Sequence, residues 1–161
     1  MNKKIFVSLS IVLALTANAM PMAKVTPLHE AAQAGDFSKV KVLLNEPEAD
    51  ANVRDITQST PLHYVVDGDC CKNSDSDHVE CIKLLLDKGA YIDAKDCHGW
   101  TPLHHASLKS NIPCIKILLA RGANVRAIAK SNGKTAQKIA REAGYGQTAD
   151  LLDAVEQLTQ E

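Results

Sequence analysis

Thr101-Pro102-Leu103-His104 is the stretch that decides the fold of this chain, because the same four residues also stand at positions 26–29 and 60–63. A degenerate fourth start, Gly-Lys-Thr-Ala, follows at 133–136. The threonines of the four starts are 34, 41 and 34 residues apart. Self-similarity at such a period indicates a repeat protein, in which each repeat is one structural unit.

The tetrapeptide has the local chemistry of a helix start. Its Thr can cap a helix N-terminus by accepting a backbone N–H. Its Pro then occupies the first helical position, where the missing N–H costs nothing. The His can hydrogen-bond back to the Thr hydroxyl or across to a neighbouring loop. Each copy therefore predicts the start of one short helix.

Residues 1–19 have the pattern of a secretory signal peptide. Lys3 and Lys4 precede an apolar run over 5–15, and Ala17-Asn18-Ala19 supplies a small-residue cleavage site. The run is shorter than the roughly 20 apolar residues that a transmembrane helix needs. We predict cleavage after Ala19, a periplasmic or secreted location, and no stable membrane span in the mature chain.

Composition limits the function of the remaining chain, 20–161, which we expect to be one domain. Loss of Lys3 and Lys4 moves the formal net charge from −1 to −3, and no block of basic residues is present. Nucleic acid is therefore not an expected partner, since phosphate contacts need a clustered positive face. Only 4% of the residues are aromatic, and this composition is more typical of many short helices than of a large enzyme core.

Apolar residues at helical spacing predict two helices in each repeat. The repeats run over about 24–59, 60–100, 101–134 and 135–158, and the second carries an insertion within 67–77. The last helix becomes polar towards its end, as the terminal unit of a repeat stack requires.

These motifs resemble the ankyrin repeat family. The resemblance is carried by Thr-Pro-Leu-His-x-Ala, a Leu-Leu helix, Gly-Ala-x-Val/Ile-x-Ala and Asp-x-x-Gly, and it covers roughly residues 24–158. It implies an all-α fold: an α-solenoid of about four repeats, each a helix–turn–helix with a β-hairpin loop. It also implies a non-catalytic protein that binds a partner protein. The insertion in repeat two is not part of the family pattern.

We expect the partner to bind a monomer at the hairpin tips and at outward positions of the first helix in each repeat. Trp100 is the strongest candidate, because aromatic residues often dominate the energy of an interface. The other reading of Trp100 is packing against the neighbouring hairpin. The candidate residues are Ile56, Thr57, Gln58, Tyr64, Cys97, His98, Trp100, His105, Lys130, Ser131 and Asn132.

The histidines do not predict a metal site. Equivalent positions in stacked repeats lie roughly 10 Å apart, whereas zinc needs its nitrogen ligands at about 2 Å. We therefore interpret His29, His63 and His104 as structural. We expect His78 and His98 to be exposed and His105 to point to the variable surface of its helix. No catalytic residue, cofactor or metal ligand is assigned.

The five cysteines are informative because export favours disulfides. Cys70 or Cys71 of the insertion can reach Cys81, which begins the next helix, and we predict a bridge between them. Cys114 is the alternative partner. In the remaining reading all thiols are reduced, and Cys81 and Cys114 are ordinary core residues. The odd number of cysteines leaves one thiol, which we expect to be Cys97, for an intermolecular contact.

The insertion also supports an alternative function, which is a metal- or cofactor-handling envelope protein. Its acidic residues alternate at Asp67, Asp69, Asp75 and Asp77, and carboxylates spaced in this way can bind calcium. The spacing does not match an EF-hand loop, because Cys71 stands where a third ligand belongs. A solvated surface loop is the simpler interpretation.

Overall fold

The computed structural model describes residues 24–68 and 76–159, and these residues contain eight α-helices. Their bounds are α1 Pro27–Ala34, α2 Phe37–Leu43, α3 Pro61–Asp67, α4 Ser76–Asp87, α5 Pro102–Leu108, α6 Ile112–Ala120, α7 Ala136–Glu142 and α8 Gly146–Leu158. The predicted signal peptide and most of the insertion, including Cys70 and Cys71, lie outside the described residues.

The helices are arranged in stacked pairs. Consecutive helices pack as α1 with α2, α3 with α4, α5 with α6, and α7 with α8. The first helices of the pairs also contact one another in chain order, and we call α1, α3, α5 and α7 the inner row. Helices α2, α4 and α6 contact one another in the same way and form the outer row. This arrangement confirms the predicted all-α solenoid.

The hydrophobic core lies between the two rows. The Leu of each tetrapeptide, at positions 28, 62 and 103, is buried in it. The outer row contributes apolar side chains at helical spacing, and its fully buried aliphatic ones are Val40, Ile82, Leu85, Ile115 and Leu118. Burying such a side chain contributes about 2 kcal/mol. Because each repeat covers the apolar face of the next, the core is continuous along the stack.

Each tetrapeptide begins an inner-row helix as predicted. Thr26, Thr60 and Thr101 are the N-cap residues of α1, α3 and α5, and Pro follows at the start of each helix. The His at the third helical position accepts a hydrogen bond from the backbone N–H of its Thr, at 3.1 Å in all three copies. The His thus takes the place of Glu or Gln in a capping box.

The loops between repeats form three hairpin-shaped turns, and the described residues contain no regular β-strand. In each turn the first residue donates a backbone hydrogen bond to the last, at 3.1, 3.0 and 2.9 Å in chain order. We call them tip one (55–59), tip two (96–100) and tip three (129–134).

One sequence expectation about exposure is wrong. His78, expected at the surface, is only 4% exposed. Its ring packs where a Cβ on Gly35 or Gly68 would clash, within 2.6 Å, and its Nε2 lies 3.2 Å from the carbonyl oxygen of Gln33. The ring therefore fills a gap between repeats one and two. His98, by contrast, is exposed as predicted.

In the part of the chain that the structure describes, every helix is too short or too polar to cross a bilayer.

Candidate functional site

The three tips form one continuous ridge, because backbone hydrogen bonds join each tip to the next. Cys97 of tip two donates its N–H to the carbonyl of Thr57 in tip one, at 2.8 Å. Ser131 of tip three donates to the carbonyl of His98 in tip two, at 2.9 Å. The spacing between the tips is therefore fixed, and their side chains present a defined surface.

Gly99 shows how closely tips two and three approach. Its φ is +76°, a left-handed conformation that glycine adopts at little cost. A Cβ at this position would lie 2.6 Å from the backbone nitrogen of Lys130. Both observations require glycine here, and the close approach brings tip three against tip two.

Most of the predicted binding residues lie on this ridge. The exposed ones are Ile56, Thr57, Gln58, Cys97, His98, Lys130, Ser131 and Asn132. Ile56 is the most prominent apolar group among them, with 71% of its surface exposed. Tyr64, Trp100 and His105 are instead half-buried on the inner side of the tips. The structure thus places an exposed ridge beside a row of half-buried aromatic and imidazole rings.

The tetrapeptide histidines connect each repeat to the tip that follows it. The Nε2 atoms of His29, His63 and His104 lie 3.1 to 3.2 Å from the carbonyl oxygens of Ser59, Trp100 and Lys134. Because a carbonyl only accepts, Nε2 carries the proton, and Nδ1 accepts from the Thr N–H. The Thr hydroxyl oxygens lie 2.8 to 3.0 Å from the same Nδ1 atoms, so both hydrogen bonds that the sequence suggested for these histidines are present.

This geometry needs neutral rings. Burial lowers the pKa of His29 and of His104 below the ordinary value of 6.5. For His63, burial and the nearby charge of His105 lower the pKa to about 4. A second proton would be placed on Nδ1, where it would face the Thr N–H. The three rings are therefore neutral at neutral pH and hold each inner-row helix to the tip that follows it. We call His29, His63 and His104 the histidine struts.

In repeat two, Tyr64 of α3 is bound to Asp55 of tip one. The Tyr64 hydroxyl donates to Asp55 Oδ2 at 2.8 Å. Asp55 Oδ1 accepts the backbone N–H groups of Thr57 and Ser59, at 2.8 and 2.9 Å. Burial and the Asp55 carboxylate raise the pKa of Tyr64 to about 12. We call this contact the repeat-two junction.

In repeat three, His105 of α5 bridges two carboxylates. Its Nε2 lies 3.1 Å from Asp96 Oδ2 in tip two, and its Nδ1 lies 3.1 Å from Asp67 Oδ2 at the end of α3. Lys109 Nζ lies 3.6 Å from the other oxygen of Asp67. Burial disfavours a charged ring, but the hydrogen bonds and charges of Asp67 and Asp96 raise the pKa of His105 above 6.5. We call this contact the repeat-three junction.

Trp100 lies on the repeat-three junction. Its ring meets that of His105 edge to face, with the ring centroids 5.4 Å apart, and its Nε1 donates to Ser131 Oγ at 3.2 Å. Beside it is an open groove of about 270 Å³ between α5 and α7, lined also by Leu108 and Ile139. Trp100 thus packs against the next tip and also borders an open groove, and its part in partner binding stays a prediction.

The described cysteines form no disulfide with one another. Cys81 and Cys114 are buried in the outer row, and Cys97 is exposed on tip two. Burial raises the pKa of the Cys81 thiol to about 12, which makes it a poor nucleophile. Because Cys70 and Cys71 lie outside the described residues, the bridge to Cys81 stays a prediction. The same holds for an ion bound by the insertion.

The acidic residues of the two junctions were missed by sequence reasoning. Asp55 and Asp96 each stand five residues before the Thr of a tetrapeptide, and this regular position was a usable signal. Asp67 carried no such signal, because its partner His105 is 38 residues away in sequence. His105 itself was expected to point to the surface, but its side chain is only 19% exposed.

Comparison with known families decides the identity of the repeats. A family model described as ankyrin repeats, three copies, matches residues 6–96, 28–129 and 69–159. The chain belongs to the ankyrin repeat family. The family assignment explains why the tetrapeptide, the outer-row leucines and the tips recur together.

Individual relatives are ankyrin-repeat proteins of varied origin. The chain is 38% identical to the ankyrin repeat domain-containing protein 53 of Macaca fascicularis, over 50% of this chain and 16% of that protein. It is 33% identical to a putative ankyrin repeat protein of Rickettsia bellii, over 64% of this chain and 29% of that protein. It is 34% identical to a transient receptor potential cation channel subfamily A member 1 homologue of Caenorhabditis elegans, over 60% of this chain and 9% of that protein. The chain thus matches less than a third of each relative's length.

Proposed function

We propose that this ankyrin-repeat chain is a non-catalytic protein–protein interaction module, which binds its partner through the tips and the inner row. The observation that carries the proposal is the hydrogen-bonded ridge of three tips, with exposed Ile56 at one end and half-buried Trp100 behind it. A rigid surface loses little conformational entropy on binding, which favours recognition. Aromatic residues beside a groove are the usual hot spots of such surfaces.

A pair of matched substitutions tests the ridge. Ile56→Asp changes an exposed residue of tip one, and Val42→Asp changes an equally apolar residue on α2 of the outer row, which is 63% exposed. Both are surface changes and are expected to alter stability by no more than about 0.5 kcal/mol. Immobilised wild type and both variants are exposed to the periplasmic and secreted fractions of the native organism, and the affinity of each retained protein is measured.

The proposal predicts a retained protein that binds the Val42→Asp variant like the wild type and binds the Ile56→Asp variant at least tenfold more weakly. Equal binding by the two variants would place the interface away from the ridge. Retention of no protein by the wild type would remove the support for an interaction module in these fractions.

We also propose that the module acts in the periplasm or outside the cell. Support comes from the charged, apolar and small-residue segments of residues 1–19. Mass spectrometry of the natural protein tests this: a chain beginning at Met20 in the exported fraction is expected. A chain that keeps residues 1–19 and is found in the cytosol would overturn the location.

A further inference from the structure

The repeat-three junction holds a ring whose two nitrogens face two carboxylates on different elements. His105 meets Asp96 of tip two through Nε2 and Asp67 of α3 through Nδ1, each at 3.1 Å. A carboxylate only accepts hydrogen bonds, and a neutral imidazole has one N–H. Only the imidazolium can donate to both, so the observed geometry is that of a protonated ring.

We propose that His105 is a positioning residue of the binding face, and that its protonated ring fastens the end of α3 to tip two beneath Trp100. The relevance of this contact to partner binding rests on the proposed function, since Trp100 is part of the proposed interface. The contact itself is a property of the chain and can be measured without a partner.

The surroundings of the ring determine how it responds to pH. The charged and titratable groups that surround it are His63 and Asp67 of α3, Asp96 of tip two, His104 of α5, and Lys109 directly after α5. The two histidines are neutral struts whose pKa values are lowered, so they titrate on the acid side of His105. His105 is therefore the group of this set that changes charge as the pH rises above 6.5.

Loss of the proton affects the two carboxylates unequally. Asp96 is also held by the backbone N–H groups of His98 and Trp100, both at 2.8 Å, and its side chain is 5% exposed. Asp67 is 32% exposed and has Lys109 as another partner. The neutral ring thus keeps its N–H on Asp96 and releases Asp67. At high pH the end of α3 is no longer fastened to tip two.

Trp100 reports on this change directly, because it is the single tryptophan of the chain. Its ring centroid lies 5.4 Å from that of His105. A protonated imidazole in contact with an indole quenches its fluorescence, and a neutral imidazole does so much less. The ring of His104 also lies near Trp100, with the centroids 6.1 Å apart, but its pKa is lowered below 6.5. The emission of the folded protein above pH 6.5 therefore follows the titration of His105.

The test compares the mature protein with four variants. The wild-type emission should increase with pH, with a midpoint above 6.5. We call this increase the emission step. It should be absent in His105→Gln and in His105→Tyr, the variant that carries the ring of the repeat-two junction. Asp67→Asn should lower its midpoint by about one pH unit, because it removes a charge that favours the imidazolium. His98→Gln, a change of an exposed histidine on the same tip, should leave the step unchanged.

A step that persists in both His105 variants, or a flat wild-type curve, would overturn the proposal. A midpoint that does not move in Asp67→Asn would remove the bridge to α3. These outcomes are independent of partner capture, so a failure of the proposed function and a failure of the positioning role are distinguishable.

Discussion

The repeat-two and repeat-three junctions occupy the same place in successive repeats, and the ring that meets the aspartate of the tip is a tyrosine in one and a histidine in the other. Tyr64 and His105 both follow a tetrapeptide, and Asp55 and Asp96 both stand five residues before its Thr. In each junction the ring meets the preceding tetrapeptide histidine edge to face, at 4.8 Å for Tyr64 and 5.4 Å for His105. The backbone arrangement is shared, so differences in behaviour come from the ring.

The comparison shows what one substitution adds to a repeat scaffold. A phenol has a single donor, and with a pKa of about 12 Tyr64 stays neutral across the physiological range. An imidazolium has two donors, so His105 binds the equivalent aspartate and also reaches Asp67 in the preceding inner-row helix. The repeat-three junction therefore joins two repeats by charge and responds to pH, whereas the repeat-two junction does neither.

Removing the aspartate of each junction gives the largest expected effect. Asp55→Ala and Asp96→Ala each leave two backbone N–H groups of a tip without an acceptor, and each should lower the free energy of unfolding by about 2–4 kcal/mol. The pKa of His105 is raised in the folded state, so its contribution is complete below pH 6.5 and is lost as the pH rises through the folded pKa. Asp96→Ala should therefore cost about 1 kcal/mol more at pH 6 than at pH 8.5.

Denaturant unfolding of both variants at the two pH values checks this prediction. The cost of Asp55→Ala should be the same at pH 6 and pH 8.5, because its phenol partner does not titrate in this range. An equal pH dependence in the two variants would mean that the junctions do not differ in charge.

Acid should destabilise the protein through the neutral histidine struts. The pKa of His63 is about 4 when folded and 6.5 when unfolded, so the unfolded chain gains the proton first as the pH falls. Stability is complete above pH 6.5 and should fall by about 2 kcal/mol by pH 5 for His63 alone. His105 adds no loss here, because its folded pKa lies above the unfolded value.

Measurements of the free energy of unfolding against pH test whether His63 causes a loss of stability in acid. Wild type should show a steeper decrease below pH 6.5 than His63→Gln, which lacks the titrating ring. Identical slopes would show that folding does not lower the pKa of His63, contrary to its burial and to the hydrogen bond that its Nδ1 accepts from the Thr60 N–H.

Among the changes to the junctions, replacement of Trp100 by serine should have the smallest effect on stability. Ser59 occupies the equivalent position of the repeat-two junction, so Trp100→Ser makes the two junctions more alike. The half-buried indole loses its ring contacts and the hydrogen bond to Ser131, at an expected cost of about 1–2 kcal/mol. Unfolding followed by circular dichroism measures the cost; a loss above about 3 kcal/mol would assign Trp100 to the core instead of the binding face.

The fold was predictable from the sequence because its determinants are local and repeated. The tetrapeptide fixes the start of a helix through its own Thr, Pro and His, and its spacing gives the number of inner-row helices. Burial of the outer-row leucines follows from helical periodicity. None of these inferences needs a contact between distant residues, and all-α solenoids consist mostly of contacts between neighbouring repeats.

The candidate site was less predictable because it depends on contacts between repeats. The exposed tip residues could be identified from the turns, but the bridge from His105 to Asp67 joins two helices through their side chains. The expected exposure of His78 was wrong for the same reason. The gap that buries this side chain is formed by Gly35 and Gly68, which are distant from each other in sequence. A polar residue beside a polar insertion gives no local sign of such packing.

The most direct test of the central claim is the protonation state of each histidine ring at pH 6, measured by long-range proton–nitrogen NMR of the ¹⁵N-labelled mature protein. The structure predicts a neutral ring protonated at Nε2 for His63, whose pKa is lowered to about 4, and a ring protonated at both nitrogens for His105. A neutral His105 at this pH, or a doubly protonated His63, would contradict the proposed difference between the two junctions.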